Sequence, residues 1–298
     1  MTSDLTYAVV AALLWALSAP VINQGLLNLP KSNRIEAILF GLICSLIAGS
    51  FSLTAFYGFD SLNINAIDAS IVAAGVFTFS IGTGLYYICG HAYDFRAEYA
   101  SQFANVKPLL SILFGTWVFL EPLSTGSIFA LGFIVAGVSV IVLTTVKGTF
   151  SRRSLVAGLL LALVWSLGEF FVKLSLSELS AGQIALHSLL SATVITIVVV
   201  GPVIICKLRM TDLSLHWILP FVAHGVLSFG LAYSFFFQSI STIGLIKSIL
   251  ITAFWPSIAI FTAFTYRKIK SAPEKGSPAM LLAMFLLLCG SLTQIISY

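Results

Sequence analysis

Four ionisable side chains stand inside long apolar runs: Lys107, Glu169, Lys173 and Lys247. Lys107 follows the polar Gln102 and Asn105 and precedes Pro108. An ammonium group there can bind a carboxylate or phosphate, pair internally, with Glu169 as a partner, or take part in proton coupling. Trp165, Glu169 and Lys173 are spaced i, i+4, i+8, so a helix presents them on one face, and the acid precedes the base in the favourable i, i+4 order. That spacing predicts an ion pair between Glu169 and Lys173, read either as one wall of a polar cavity or as a self-neutralising pair that reaches the interface by snorkelling. Lys247 lies only a few residues inside its run, which favours snorkelling. Trp15, Trp165, Trp255, Tyr86 and Tyr233 add aromatic surface, either for packing between helices or for a pocket around the apolar part of a small ligand.

Other chemistries find no pattern. His91, His187, His216 and His224 show no paired metal-ligand spacing. Cys44, Cys89, Cys206 and Cys289 form no CxxC pair and read as packing residues. There is no GxxxxGK[ST] phosphate loop, so ATP-driven chemistry by this chain alone is excluded, and no cofactor is implied.

The elements that must hold these side chains follow from composition. Hydrophobic residues make up 59% and charged residues 9% of the chain, with a mean hydropathy of +1.05. A soluble domain carries about a quarter charged residues. Apolar stretches run over 5–27, 35–57, 69–91, 99–119, 126–146, 154–176, 183–206, 216–238, 243–265 and 278–297, each near the ~20 residues that cross ~30 Å of hydrocarbon as a helix. Spanning strands would be shorter and alternating. The expected fold is therefore an all-α integral membrane protein with ten transmembrane helices. At the centre of such a span an ionisable side chain costs at least ~2.5–3.5 kcal/mol, which is why the four above demand a reason. The first stretch has no basic residue before it and reads as the first helix of the mature protein, not a cleaved signal.

The chain also repeats itself. Leu13-Leu14-Trp15-Ala16-Leu17-Ser18 returns as Leu163-Val164-Trp165-Ser166-Leu167-Gly168, and Gly82 to Pro108 aligns without a gap on Gly230 to Pro256. Five stretches fall in each half, and an odd number forces the copies to sit upside down relative to each other. This predicts two inverted five-helix repeats around a central cavity, over 1–147 and 154–298, joined at the segment containing Lys147, Arg152 and Arg153. Pro108 and Pro256 are expected to disrupt their helices at matched points, and Pro20 to break the first helix without a repeat mate. Trp117 and Trp217, near span ends, read as interfacial anchors. The net charge of +4 resides mainly in loops and suits orientation in the bilayer, not nucleic-acid binding. Lys31, Arg34, Arg96, Lys147, Arg152, Arg153, Lys207, Arg209, Arg267, Lys268, Lys270 and Lys275 all follow odd-numbered spans. The bias predicts cytoplasmic odd loops and both termini outside.

The Trp-centred openings, the segment Ala100-Ser101-Gln102-Phe103-Ala104-Asn105-Val106-Lys107-Pro108-Leu109-Leu110, Leu120-Glu121-Pro122-Leu123, Gly132, Gly137 and Lys173 resemble the EamA-type branch of the drug/metabolite transporter superfamily. Phe254-Trp255-Pro256 and Gly290 stand at corresponding places in the second half. The resemblance implies a ten-helix bundle of two inverted units that moves small metabolites by alternating access through a cytoplasmic (inner) membrane. Two departures stand out. Glu121 has no second-half equivalent, where Lys268-Ile269-Lys270 is found, and Lys107 occupies an apolar or aromatic place whose repeat mate is Trp255.

Together these features predict a multi-pass secondary transporter, most simply an exporter, of a small polar metabolite such as an amino acid or related organic anion, with an importer of a similar solute as the alternative. An intramembrane enzyme or a non-transporting regulatory protein is a more distant reading. The expected partners are a small-molecule substrate, the lipid bilayer and a coupling proton. The substrate-binding set is Trp15, Asn23, Tyr86, Gln102, Asn105, Lys107, Trp165, Glu169, Lys173, Tyr233 and Trp255.

Overall fold

A computed structural model describes residues 2–30, 32–92, 106–146, 152–259, 261–262 and 278–297. The described residues contain helices and turns and no strand, as a bilayer requires of a chain that must satisfy its backbone hydrogen bonds locally. In order they are α1 (Thr2–Leu27), α2 (Arg34–Tyr57), α3 (Ala69–Gly75), α4 (Thr83–Ala92), α5 (Lys107–Trp117), α6 (Thr125–Val146), α7 (Arg152–Ser175), α8 (Ala181–Lys207), α9 (Leu215–His224), α10 (Tyr233–Ile243), α11 (Leu245–Thr252) and α12 (Pro278–Ile296). A π-helical turn, Val76–Gly82, joins α3 to α4, and a second, Gly225–Ala232, joins α9 to α10. The two overlap when Gly82 is laid on Gly230. Six helical runs are long and apolar enough to cross a membrane: Asp4–Leu27, Arg34–Tyr57, Ala69–Gly90, Val156–Ser175, Ala181–Lys207 and Leu215–Ile243. Thr125–Val140, Leu245–Ala259 and Leu281–Ile296 are shorter apolar helices.

Helix ends are set by local chemistry. Asp68 caps α3 by accepting from the Ile71 N–H at 2.8 Å. Ser180 and Gln183 close a capping box on α8. Gly244, at φ 88°, makes the sharp break between α10 and α11 that a side chain would resist.

The prolines behave differently from expectation. Pro20 does not break the first helix: α1 runs through it without interruption. Membrane helices tolerate this because neighbouring groups satisfy the freed carbonyl. Pro108 lies in the first turn of α5, where its missing N–H costs nothing. Pro256 likewise opens the helical residues 255–259, after a turn at Ala253 and Phe254 ends α11.

Packing runs in exchanged pairs. α1 lies against α9 and α10, and α7 lies against α3 and α4. α8 packs on α3 as α2 packs on α9. α1 meets α11 as α7 meets α5, while α2·α8, α5·α11 and α6·α12 each join corresponding helices. Two glycines allow close approaches of backbone to backbone. A methyl group at Gly75 would fall on the Ser188 carbonyl of α8, and one at Gly225 on the Ser45 carbonyl of α2.

The core between these helices is aromatic, with Phe79, Tyr87, Phe221, Phe229, Phe236 and Phe237 fully buried. Trp217 belongs to this core and is not an interfacial anchor. It is 2% exposed, and its indole N–H donates to the Asp212 carbonyl at 3.1 Å. Trp117, at the end of α5, is 79% exposed and suits an interfacial place. Cys206 is exposed, so it is not the packing residue expected, whereas Cys89 is buried.

Candidate functional site

A narrow cleft lies where helices of both halves of the sequence meet. Its walls are Trp15 and Ser18 from α1, Thr83 and Tyr86 from α4, Lys107 from α5 and Trp165 from α7. They are completed by His224, Ser228, Phe229, Tyr233 and Trp255 from the second half. Six residues of the expected set therefore come together: Trp15, Tyr86, Lys107, Trp165, Tyr233 and Trp255. The aromatic rings brace one another. Trp15 stands edge-on to Tyr233 at 4.9 Å and to Phe236 at 5.1 Å, and it lies 6.3 Å from Trp255. Tyr86 lies 5.8 Å from Trp165, whose indole N–H donates to the Thr78 carbonyl at 3.3 Å. Such contacts, each worth ~0.5–1.5 kcal/mol beyond area burial, hold a wall in shape before any ligand arrives.

Lys107 is paired internally. Its Nζ lies 2.5 Å from Glu169 Oε1, and Ser111 Oγ donates to Glu169 Oε2 at 2.8 Å. Ser166 Oγ lies 3.3 Å from the Lys107 carbonyl and 3.2 Å from Ser111 Oγ, tying α7 to α5. The same ammonium lies 5.3 Å from the Phe236 ring centre and 5.8 Å from that of Trp15. Both charged side chains are deeply buried, at 12% and 4% exposure. Isolated, either would be costly; close pairing and the serine hydroxyl offset that cost.

The expected Glu169–Lys173 pair is not formed. One turn beyond Glu169, Lys173 reaches the segment after α5 and meets Glu121 Oε1 at 2.8 Å. Glu121 also accepts from the Leu245 and Ile246 N–H groups, each at 2.9 Å. A carboxylate on the first-turn amides of α11 is a favourable partner for the positive end of the helix dipole. Lys173 borders a second depression, with Phe119, Leu174, Leu176, Ser177 and Ser241, away from the cleft. Asn23 is buried in α1 and Glu169 stands behind Lys107, neither lining the cleft. Gln102 and Asn105 lie outside the described residues.

Sequence reasoning missed Ser18, Thr83, His224, Ser228 and Phe229. The hydroxyls are common in apolar helices and carry little signal alone. His224 stands in the sequence without a metal-ligand partner at motif spacing or any recognisable motif of its own. The structure instead joins its Nδ1 to the Tyr87 hydroxyl at 2.8 Å.

An all-helical fold with several bilayer-length apolar helices and a cleft between them defines a multi-pass membrane protein. Residues 3–143, just under half of the chain, match the EamA-like transporter family, and this match places that half in the drug/metabolite transporter superfamily. A crystal structure of another protein has the same fold, with a TM-score of 0.71 and 17% identity, covering 100% of this chain and 98% of that one. No curated protein matches the chain.

Proposed function

We propose that the chain is a secondary transporter that exports a small polar metabolite, an amino acid or related organic anion, across the cytoplasmic membrane. The observation that carries this reading is the cleft itself: an aromatic-walled space between helices of both halves, with the Lys107 ammonium group on its wall. A small number of placed polar groups in an apolar pocket is the ordinary form of a small-molecule site. The aromatic rings take the apolar body of the solute. Lys107 takes its carboxylate, and because Glu169 already balances that charge, the solute shares the ammonium instead of meeting a bare cation.

The exchanged packing of α1 on α9 and α7 on α3 supports two inverted five-helix repeats, 1–147 and 154–298, as the moving parts of alternating access. The loop charge bias supports odd loops in the cytoplasm and both termini outside. Export as the direction follows the family resemblance.

The test is a thermal-shift screen of the purified protein against amino acids, organic acids and nucleosides, since a ligand that binds the folded state raises its melting temperature. Counterflow of each stabilising solute in proteoliposomes follows. Selective stabilisation and recovery of the solute chemically unchanged on the far side are expected. No stabilisation and no flux for any class would overturn the reading, and a chemically altered product would point to an enzyme.

A further inference from the structure

His224 is 4% exposed, lines the cleft, and belongs to a hydrogen-bonded chain whose proton positions can be deduced. Ser45 Oγ lies 2.7 Å from the Phe221 carbonyl and 3.0 Å from the Gly41 carbonyl. Carbonyl oxygens only accept, so the Ser45 proton is committed to one of them. The Tyr87 hydroxyl, 3.0 Å from Ser45 Oγ, must then be the donor to Ser45. With its one proton used, the Tyr87 oxygen can only accept at its other contact, His224 Nδ1 at 2.8 Å. Nδ1 therefore carries the imidazole hydrogen. In a neutral ring the other nitrogen, Nε2, is then a bare acceptor. Among the described residues no protein donor meets Nε2. The ring is held by Phe229 at 5.3 Å and Tyr87 at 5.5 Å, both edge-on, so its orientation is set by packing as well as by the hydrogen bond.

We propose that His224 Nε2 is a fixed acceptor subsite of the cleft for an N–H donor of the solute, an organic ammonium or amine group. This rests on the cleft being the solute site. The surrounding surface fits that class. The rings of Trp15, Tyr86, Trp165, Tyr233 and Trp255 attract a cation, and Lys107, the one cation among the described lining residues, is neutralised by Glu169. Lys107 and His224 thus offer a donor and an acceptor on the same wall system, which divides an amine-bearing acid into two separately recognised ends. Tyr87 and Ser45 touch no solute; they position the ring by fixing its tautomer.

Nitrogen-15 NMR of the full chain in detergent, with labelled histidine, tests this directly. The His224 signals are assigned by their loss in His224→Gln or, should that variant not fold, by replacing His91, His187 and His216. At neutral pH the form with hydrogen on Nδ1 and a bare Nε2 is expected, and Tyr87→Phe should abolish that preference. Adding 2-phenylethylammonium should move the Nε2 resonance, and 3-phenylpropanoate, which lacks an N–H donor, should leave it in place. His224→Gln should weaken binding of the ammonium probe about tenfold or more, the scale of a lost hydrogen bond to a charged group, with less change for the carboxylate probe. Finding the hydrogen on Nε2, or no response of that resonance to the ammonium probe, overturns the subsite. The transport reading fails separately, in the counterflow assay.

Discussion

Lys107 and Glu169 form the ion pair on which the cleft wall depends, and the energetics of buried charge give it a measurable signature. Lys107→Met leaves a nearly buried carboxylate without its cation, and we expect a loss of about 3–5 kcal/mol of stability. The double change Lys107→Met with Glu169→Gln should recover most of it, read by unfolding of the purified protein in detergent. By contrast, Glu169→Gln and Lys173→Gln should add within about 0.5 kcal/mol, because the two side chains serve different partners. Lys107→Gln is further expected to lower flux in proteoliposomes. Unaltered flux would remove the lysine from solute recognition. The need for partners was legible in the sequence, since lone charges inside apolar runs demand them. The choice of partner was not. It depends on which helix lies beside α7 and how both are rotated, and an i, i+4 spacing says nothing about that.

Glu121 shows how a side chain in a connecting segment can govern a helix in the other half of the chain. Its carboxylate holds the first two amides of α11 and the Lys173 ammonium together. Glu121→Ala should cost about 1–3 kcal/mol, the penalty for orphaned buried donors, seen as a lower melting temperature. A smaller loss from Glu121→Gln would show that an acceptor matters there more than the charge. At the start of α3 the Ile71 N–H, helped by the Ser70 hydroxyl, lowers the Asp68 pKa from its usual value. A lowered carboxylate pKa stabilises the fold above the ordinary aspartate range, and that contribution is lost as pH falls through the folded value, below about pH 4. Asp68→Asn should therefore flatten the acid limb of a melting-temperature profile between pH 6 and pH 3 while keeping the cap. The six bilayer-length helical runs were legible from apolar run length. Breaks and caps were not, because Pro20 passes through a helix while Pro108 and Pro256 open one, and only the neighbours decide which.

Across the whole molecule the packing runs in exchanged pairs, the pattern two inverted repeats would produce. Gly75 on α8 and Gly225 on α2 are equivalent contacts between halves, each against a backbone carbonyl that cannot move aside. Gly75→Ala and Gly225→Ala should each destabilise the protein by about 1–3 kcal/mol, the range for overpacking, and by similar amounts. A large effect at one and none at the other would contradict the exchanged arrangement. A reporter fused after Tyr298 decides the orientation: periplasmic alkaline phosphatase activity supports outside termini, and cytoplasmic fluorescence of a fused green protein refutes them. Part of the aromatic cleft wall was legible, because Trp15 recurs as Trp165 and the segments around Tyr86 and Tyr233 match, and all four side chains line the cleft. The two π turns left no trace in composition. Each takes up one residue more than an α-helix would over the same rise, so chain length and angular phase are decoupled there. Deleting a single apolar residue from Val76–Gly82 or Gly225–Ala232 would leave hydropathy and span length almost unchanged. The turn can tighten to ordinary α geometry as the surplus residue is lost, so Tyr86 and Tyr233 keep their facing, whereas the same deletion within a regular α-helical turn would rotate everything downstream by about 100°. These two turns thus insulate the facing of the cleft's tyrosines from single-residue changes in chain length.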